Sequence, residues 1–326
     1  MQIHSIDYKH KLFNDVLEIE WLLGNTCNYK CSYCIDELRS GSHAWANIES
    51  AMKFVDKVIT HYSQIGIKNY IWKFGGGEPL MYGDFITLCQ YINSKKNSIV
   101  IVASNAAASK DYWRTYGKNF FAAHFSIHPE YADGSHISAV CDMLTDMGVE
   151  VTCHVMMMPT LFEKCLAIID MLKLSRRKEW GIQAKPLFHT WETDISSLRQ
   201  LYSYTDEQKI IFNKPVREQK RLDGENADVD RSMIAVTDQG EQSFDAYWAV
   251  TNRIVDWRGY QCWIGVNRIY INYDQTLKLG AGCYMNYKNF VGKRIDDDDI
   301  IFPNKPTKCT QESCVCIADV QVPKSR

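Results

Sequence analysis

Between residues 17 and 187 the chain switches back and forth between two hydrophobic periods. Leu17-Glu18-Ile19-Glu20-Trp21-Leu22-Leu23, Asn69 to Phe74, Ser98 to Ala103, Phe120 to Ile127, Val149 to Met158 and Gly181 to Leu187 read as strands. Between them apolar positions recur at helical spacing. Asn47 to Ser63 places Ile48, Ala51, Met52, Val55, Val58, Ile59 and Tyr62 on one face, and Phe85 to Lys95, Ser109 to Tyr116 and Ser135 to Met147 behave alike. Leu161, Cys165, Ile168, Ile169 and Leu172 mark the last such face. Six β/α rounds with β-branched, buried strands predict a parallel sheet of class α/β, closing as a partial (β/α)6 TIM-like barrel. In such sheets ligands gather at the carboxyl ends of the strands.

The pattern changes after residue 188. Thr205-Asp206-Glu207-Gln208 has the form of a capping box opening a short helix, while Lys214 to Arg231 is polar and carries both charge signs, as a solvated connector does. Arg268 to Tyr273, the turn Asp274-Gln275 and Leu277-Lys278-Leu279 read as a hairpin. The expected division is a barrel over 1–188, a helical and polar connector over 189–255, and a small cysteine-rich β-hairpin domain over 256–326. Asp296 to Asp299 reads as a solvated turn, because it lacks the alternating spacing and glycine of a calcium loop.

Composition narrows the setting. A net charge of −2 gives no electrostatic reason to expect a nucleic-acid or membrane partner. No apolar run approaches the roughly 20 residues of a membrane span, and the first residues lack the apolar core of a signal peptide. A cytoplasmic, reducing location is expected, in which the 12 cysteines serve as ligands, reactive groups or core residues rather than disulfides. Cys89, Cys141, Cys153 and Cys165 fall within helix or strand patterns and are expected in the core.

The other cysteines form two groups. Cys27, Cys31 and Cys34 stand at CxxxCxxC spacing directly after the first strand. Three thiolates can hold a [4Fe–4S] cubane and leave one of its four irons without a protein ligand, whereas a CxxC pair alone would equally suit zinc or a redox pair. A second distinctive stretch, Gly75-Gly76-Gly77-Glu78-Pro79, follows a later strand, where glycines allow a tight turn and close backbone approach.

Together the cysteine loop, with aromatic Tyr33 before its last thiol, and the turn at Gly76, Gly77, Glu78 and Pro79 resemble the CxxxCxΦC loop and GGEP motif of the radical SAM superfamily. The resemblance implies that Cys27, Cys31 and Cys34 bind a [4Fe–4S] cluster whose open iron is chelated by S-adenosylmethionine. It implies that the GGEP backbone holds the methionine amino group and that Tyr33 lies near the adenine. Ser104, Asn105 and Ser126 would contact the ribose or methionyl carboxylate, and the strand around Val155 would hold adenine through its backbone. Gly77→Val is then expected to weaken cofactor binding and leave iron largely intact. Where many relatives have Asp two residues after the Ser of the fourth barrel strand, this chain has His128. Imidazole titrates near neutrality, so His128 is a candidate catalytic acid or base beside the structural hydrogen bonder that a lone histidine commonly is. Glu130 and Lys185 are further candidates for lining the cavity.

Cys262, Cys283, Cys309, Cys314 and Cys316 form the second group. A hairpin from Cys262 to Cys283 would bring two thiols together, and four of the five suffice for one auxiliary [4Fe–4S] cluster; a structural zinc ribbon is the alternative. The layout resembles the SPASM and twitch extensions of radical SAM enzymes, without the full seven-cysteine SPASM pattern. The implied activity is reductive cleavage of S-adenosylmethionine to a 5′-deoxyadenosyl radical that abstracts hydrogen from substrate. Implied partners are a low-potential donor such as flavodoxin or ferredoxin and a peptide or small metabolite. Cys27 lies too near the start for a leader-peptide-binding domain before the barrel, which counts against a peptide-maturation role. An iron–sulfur module for sensing or electron transfer is the rival class, although it would need neither an open iron nor the glycine turn.

Overall fold

The first barrel strand alternates apolar Leu17, Ile19 and Trp21 with acidic Glu18 and Glu20. In the computed structural model, which describes residues 2–10, 13–187, 202–213 and 233–326, a strand β1 (Ile3–Tyr8) precedes this strand, β2 (Val16–Leu22). There follow α1 (Ile48–Gln64), β3 (Asn69–Gly75), α2 (Phe85–Asn93), β4 (Ser98–Ser104), α3 (Lys110–Tyr116), β5 (Ala122–Ile127), α4 (Gly134–Asp146), β6 (Glu150–Met157), α5 (Phe162–Ser175) and β7 (Gly181–Pro186). Strands β2 to β7 pair in sequence order and in parallel. This is the expected partial (β/α)6 barrel.

Side chains of one parity, among them Leu17, Ile19, Trp21, Trp72, Phe74, Val100, Val102, Phe125, Cys153 and Val155, are fully buried in the layer shared with the helices. The other parity carries Glu18, Glu20, Lys73, His124, Ser126 and His154 to the concave face. Helix starts are satisfied locally: Asn47 accepts from the Ser50 N–H, Ser109 from that of Tyr112 and Asp133 from that of His136. Cys89, Cys141, Cys153 and Cys165 are all buried, as expected.

The later chain comprises α6 (Asp206–Asn213), β8 (Met233–Thr237), β9 (Gly240–Phe244), α7 (Ala246–Thr251), β10 (Gln261–Cys262), β11 (Arg268–Ile271), β12 (Leu277–Lys278), β13 (Thr307–Lys308), α8 (Ile317–Val320) and β14 (Lys324–Ser325). The capping box is present: Thr205 Oγ1 accepts from the Gln208 N–H, and Gln208 Oε1 accepts from the Thr205 N–H. Lys214 to Arg231, read as a connector, lies outside the described residues. The β8–β9 hairpin joins β1 in a second sheet ordered β13-β10-β14-β1-β8-β9. Cys262 therefore sits on a strand paired with β13 and β14. The hairpin that does form is β11–β12, and it begins at Arg268. Strand β11 also lies parallel to β2, extending the barrel sheet to eight strands. Among the described residues no helix is long and apolar enough to cross a membrane.

Candidate metal and cofactor site

The cysteine loop leaves the end of β2 and is held open by Asn25, a residue with no exposed surface. Its amide nitrogen donates to Glu37 O and to the hydroxyls of Ser40 and Ser42, and its oxygen accepts from the His43 N–H. Arg39 donates to the Cys31 carbonyl at 2.6 Å and pairs with Asp36. Within this frame the thiols of Cys27, Cys31 and Cys34 act on one another. Burial pushes Cys31 up to about 12, with Glu130 and then Cys34 and Cys27 adding to it; burial and then Cys27 raise Cys34. Deprotonated thiols here need a cationic partner, which is what an iron–sulfur cluster supplies. Among the described residues no three His, Cys, Asp or Glu side chains converge tightly enough for a single metal ion. A cubane takes its thiolates on separate irons, so the three-thiol loop fits it with the fourth iron left open.

Glycines 76 and 77 press against this loop. The Gly77 N–H donates to Gly24 O at 3.0 Å and the Glu78 N–H to Thr26 O at 2.8 Å. A Cβ on Gly77 would lie 2.1 Å from Thr26 O, and one on Gly76, whose φ is +104°, 2.4 Å from Gly24 O. The turn thus directs its N–H groups into the cysteine loop and has carbonyl oxygens to offer a ligand, as an ammonium group requires. Pro79 opens a 3-10 turn behind it.

Glu78 is buried and knits the neighbouring motifs together. Its Oε1 accepts from Ser104 Oγ at 2.9 Å and from the Leu80 N–H, and its Oε2 accepts from the Asn105 N–H at 2.8 Å. Burial raises its carboxyl to about 7 despite these donors. Asn105 Nδ2 donates to Asn28 Oδ1 at 2.7 Å, one residue beyond Cys27. Ser104 and Asn105 thus act first on Glu78 and the cysteine loop. Ser126 lies on the concave face in register with His154, whereas the Val155 side chain is buried, leaving only its backbone to a ligand.

His128 meets the loop from the other side. Tyr33 Oη and His128 Nδ1 are hydrogen-bonded at 2.5 Å, and the rings stack at 5.8 Å and 24°. Burial lowers this imidazole to about 4, opposed by Glu130. Glu130 itself accepts from the Ser32 N–H at 2.8 Å, and Tyr29 stacks on Tyr131 at 4.6 Å. The segment after β5 therefore braces the cysteine loop.

In the tail, Cys262, Cys283, Cys309 and Cys314 act on one another. Burial raises all four, with Cys309 adding to Cys262, Cys262 and Cys309 adding to Cys283, and Cys262 and Cys283 adding to Cys314. Cys316 caps the start of α8 and lies against Gly282. The Lys324 ammonium, buried beneath them, donates to the carbonyls of Asp319, Val320 and Val322.

The concave face holds polar residues that motif reading passed over. Arg268 is buried and pairs with Glu18, Glu20 and Asp319, and Lys73 pairs with Glu18 at 2.6 Å. Their signal in the sequence is charge at every second position of otherwise apolar strands.

No protein-family model and no curated protein sequence matches the chain. Among solved structures it is similar to anSMEcpe with bound AdoMet, at 13% identity and TM-score 0.52, covering 87% of this chain and 79% of that one. It is similar also to SuiB of Streptococcus suis, at 11% identity and TM-score 0.50, covering 86% of this chain and 64% of that one. Residues 1–255 alone could not supply so large a share, so the likeness extends into the cysteine-rich tail. What it establishes at this identity is architecture: the chain shares the partial α/β-barrel fold of these structures.

Proposed function

We propose that the protein is a radical SAM enzyme, with Cys27, Cys31 and Cys34 holding a [4Fe–4S] cluster and the carbonyls of the Gly76–Gly77 turn receiving the amino group of S-adenosylmethionine. The observation that carries this reading is the direct clamp of that turn onto the cysteine loop through Gly24 O and Thr26 O. It fixes the two motifs relative to each other, as chelation of one ligand by both demands. The bound AdoMet in the similar anSMEcpe structure supports the assignment. With the cluster bound, the chemistry supplied would be one-electron reductive cleavage of S-adenosylmethionine, with hydrogen taken from substrate. The chain's own residues orient and exclude: Tyr33, held by His128, shapes the loop, Glu78 ties three strand ends together, and the barrel walls keep water from the reacting centre.

The 256–326 segment is assigned one auxiliary [4Fe–4S] cluster on Cys262, Cys283, Cys309 and Cys314, supported by their mutual influence. That cluster suits a substrate oxidation or rearrangement drawing on a low-potential donor such as flavodoxin or ferredoxin. A peptide substrate gains some support from the similar anSMEcpe structure, which holds AdoMet with a Cp18Cys peptide.

The test is formation of 5′-deoxyadenosine by the anaerobically reconstituted, reduced protein. Cys27→Ala/Cys31→Ala/Cys34→Ala should abolish it and remove about four irons; retained cleavage would sink the assignment. Cys262→Ala/Cys283→Ala should remove about one cubane, while the barrel cluster's electron paramagnetic resonance signal still responds to S-adenosylmethionine. Zinc in place of that iron would make the tail a structural site.

A further inference from the structure

The tail holds a buried cation that none of the roles assigned above uses. Lys324 on β14 has almost no exposed surface, and its ammonium donates to the carbonyls of Asp319, Val320 and Val322 at 2.9, 3.1 and 2.8 Å. Those bonds engage all three protons of the group and fix it in place. The indole of Trp257, itself buried, lies over it at 5.5 Å. The other buried cation of the region, Arg268, is answered by Glu18, Glu20 and Asp319. Lys324 has no carboxylate within ion-pair distance among the described residues; Asp319, the nearest acid in sequence, gives its carboxylate to Arg268 and to the Gly282 N–H.

A buried charge is retained where an opposite charge meets it, and strand register shows what lies beside this one. Lys324 stands directly opposite Cys262 in the antiparallel pair of β14 and β10, so both side chains leave the same face of the sheet, with Cβ atoms about 5 Å apart. Across the other edge of β10, Cys262 is opposite Thr307, two residues before Cys309. The carbonyls that Lys324 holds belong to α8, the helix that Cys316 opens, and to the turn after it. Cys262 and Cys309 are buried with it. Burial raises the thiols of Cys262, Cys309 and Cys314, and Lys324 opposes that rise in all three. Four thiolates around a [4Fe–4S] core leave a net negative charge, and reduction adds one electron with no bond made or broken. A fixed ammonium beside them, shielded from water, stabilises the more negative state more. The sign follows from Lys324 alone, because a neutral substitution removes one positive charge and leaves the other charges in place.

Resting on the auxiliary-cluster reading above, we propose that Lys324 tunes the tail cluster, holding its reduction potential above what the four thiolates alone would give and so favouring the electron-accepting role that a substrate oxidation asks of it. The full chain is reconstituted anaerobically and titrated potentiometrically, following by electron paramagnetic resonance the tail signal, which is the one that Cys262→Ala/Cys283→Ala removes. Lys324→Met should keep tail iron and shift its reduction at least about tenfold toward the oxidised form, about 59 mV lower for one electron. The barrel signal should titrate as in wild type. Lys324→Arg keeps the charge and should leave the tail potential near that of wild type. If Lys324→Met loses tail iron, Lys324→Gln, which keeps a donor for the carbonyls without the charge, should show the same shift. An unshifted tail potential in an iron-replete neutral variant overturns the inference and leaves the cluster reading standing. An equal shift in the arginine variant overturns it too, by tracing the effect to packing, as does loss of tail iron from both neutral variants, which would make the lysine structural. Zinc, or no iron, in the wild-type tail sinks the auxiliary-cluster reading and this inference with it, and metal analysis reads that outcome before any potential is measured.

Discussion

Gly77 shows how one missing methyl group can decide where a metal loop sits. From the motif alone, a bulky residue there should impair cofactor binding and spare the iron. In the structure the obstruction would come earlier, because a Cβ would strike the backbone of Thr26, next to Cys27. Gly77→Ala is therefore expected to lose barrel iron and the response to S-adenosylmethionine together, measured by iron content and spectroscopy after reconstitution. Full iron with only weakened cofactor affinity would return the glycine to ligand approach. His128 makes a second case. Neutral and hydrogen-bonded to Tyr33, it works as a positioning residue, so His128→Asn, which keeps a hydrogen-bonding group near Nδ1, should retain S-adenosylmethionine cleavage, while His128→Leu should lower cofactor affinity by about tenfold. Equal loss in both variants would restore the acid–base role. The sign of the pH effect follows from burial. His124, His128 and His154 all have folded pKa values below the ordinary 6.5, so their contribution to stability is present above about 6.5 and is lost as pH falls toward about 4. Denaturant midpoints between pH 7 and 5 should fall accordingly, and the cleavage rate should show no break from His128 over that range.

At the scale of elements, β11 is the piece that local pattern could not place. Its hairpin with β12 was legible, because alternation around Asp274-Gln275 is a local signal. Its parallel pairing with β2 was not, since nothing within a window of either strand reports a partner some 250 residues away. The same limit hid β10, β13 and β14, each two residues long and too short to show any period. It also led to the expected Cys262–Cys283 hairpin. The six barrel strands and their helices were legible because each repeats its burial pattern over several residues. The cysteine triad was legible as a spacing, but the partners that hold it, Asn25, Arg39, Tyr33 and Glu130, are joined only by folding. What pins β11 to β2 is Arg268, nearly without exposed surface and paired with acids from both sides, Glu18 and Glu20 of the barrel and Asp319 of the tail. Asp319 also accepts from the Gly282 N–H at 2.7 Å, beside Cys283. Removing one partner from a buried ion cluster leaves the others uncompensated, a cost of about 3–5 kcal/mol. Arg268→Met should therefore lower the unfolding midpoint and release tail iron before barrel iron on chelation. Wild-type stability with normal iron retention would mean that the pairing contributes little.

Over the whole molecule the barrel and the cysteine tail share structure rather than merely adjoining. Trp21, fully buried on β2, donates its Nε1–H to Gln275 Oε1 at 2.8 Å, and Gln275 Nε2 returns to Leu23 O. Tyr62 of α1 donates to Gly265 O at 2.6 Å, Asn267 donates to the carbonyls of Asn14 and Val16, and Tyr260 donates to Ile3 O. Each contact joins the first barrel round, or β1 before it, to residues after 256, and β14 pairs with β1 as well. A chain cut after residue 255 would uncover the hydrogen-bonding edge of β2, leave Glu18 and Glu20 without Arg268, and expose the indole of Trp21. An unpaired inner strand of that composition favours association with other chains. The cut chain should therefore aggregate or lack a cooperative melt, and should fail to hold the barrel cluster although all three of its cysteines remain. Melting, iron content and oligomeric state after anaerobic reconstitution measure this directly. A monomeric, cooperatively melting 1–255 chain with four irons and a normal response to S-adenosylmethionine would show the barrel to be self-sufficient and the tail an appendage.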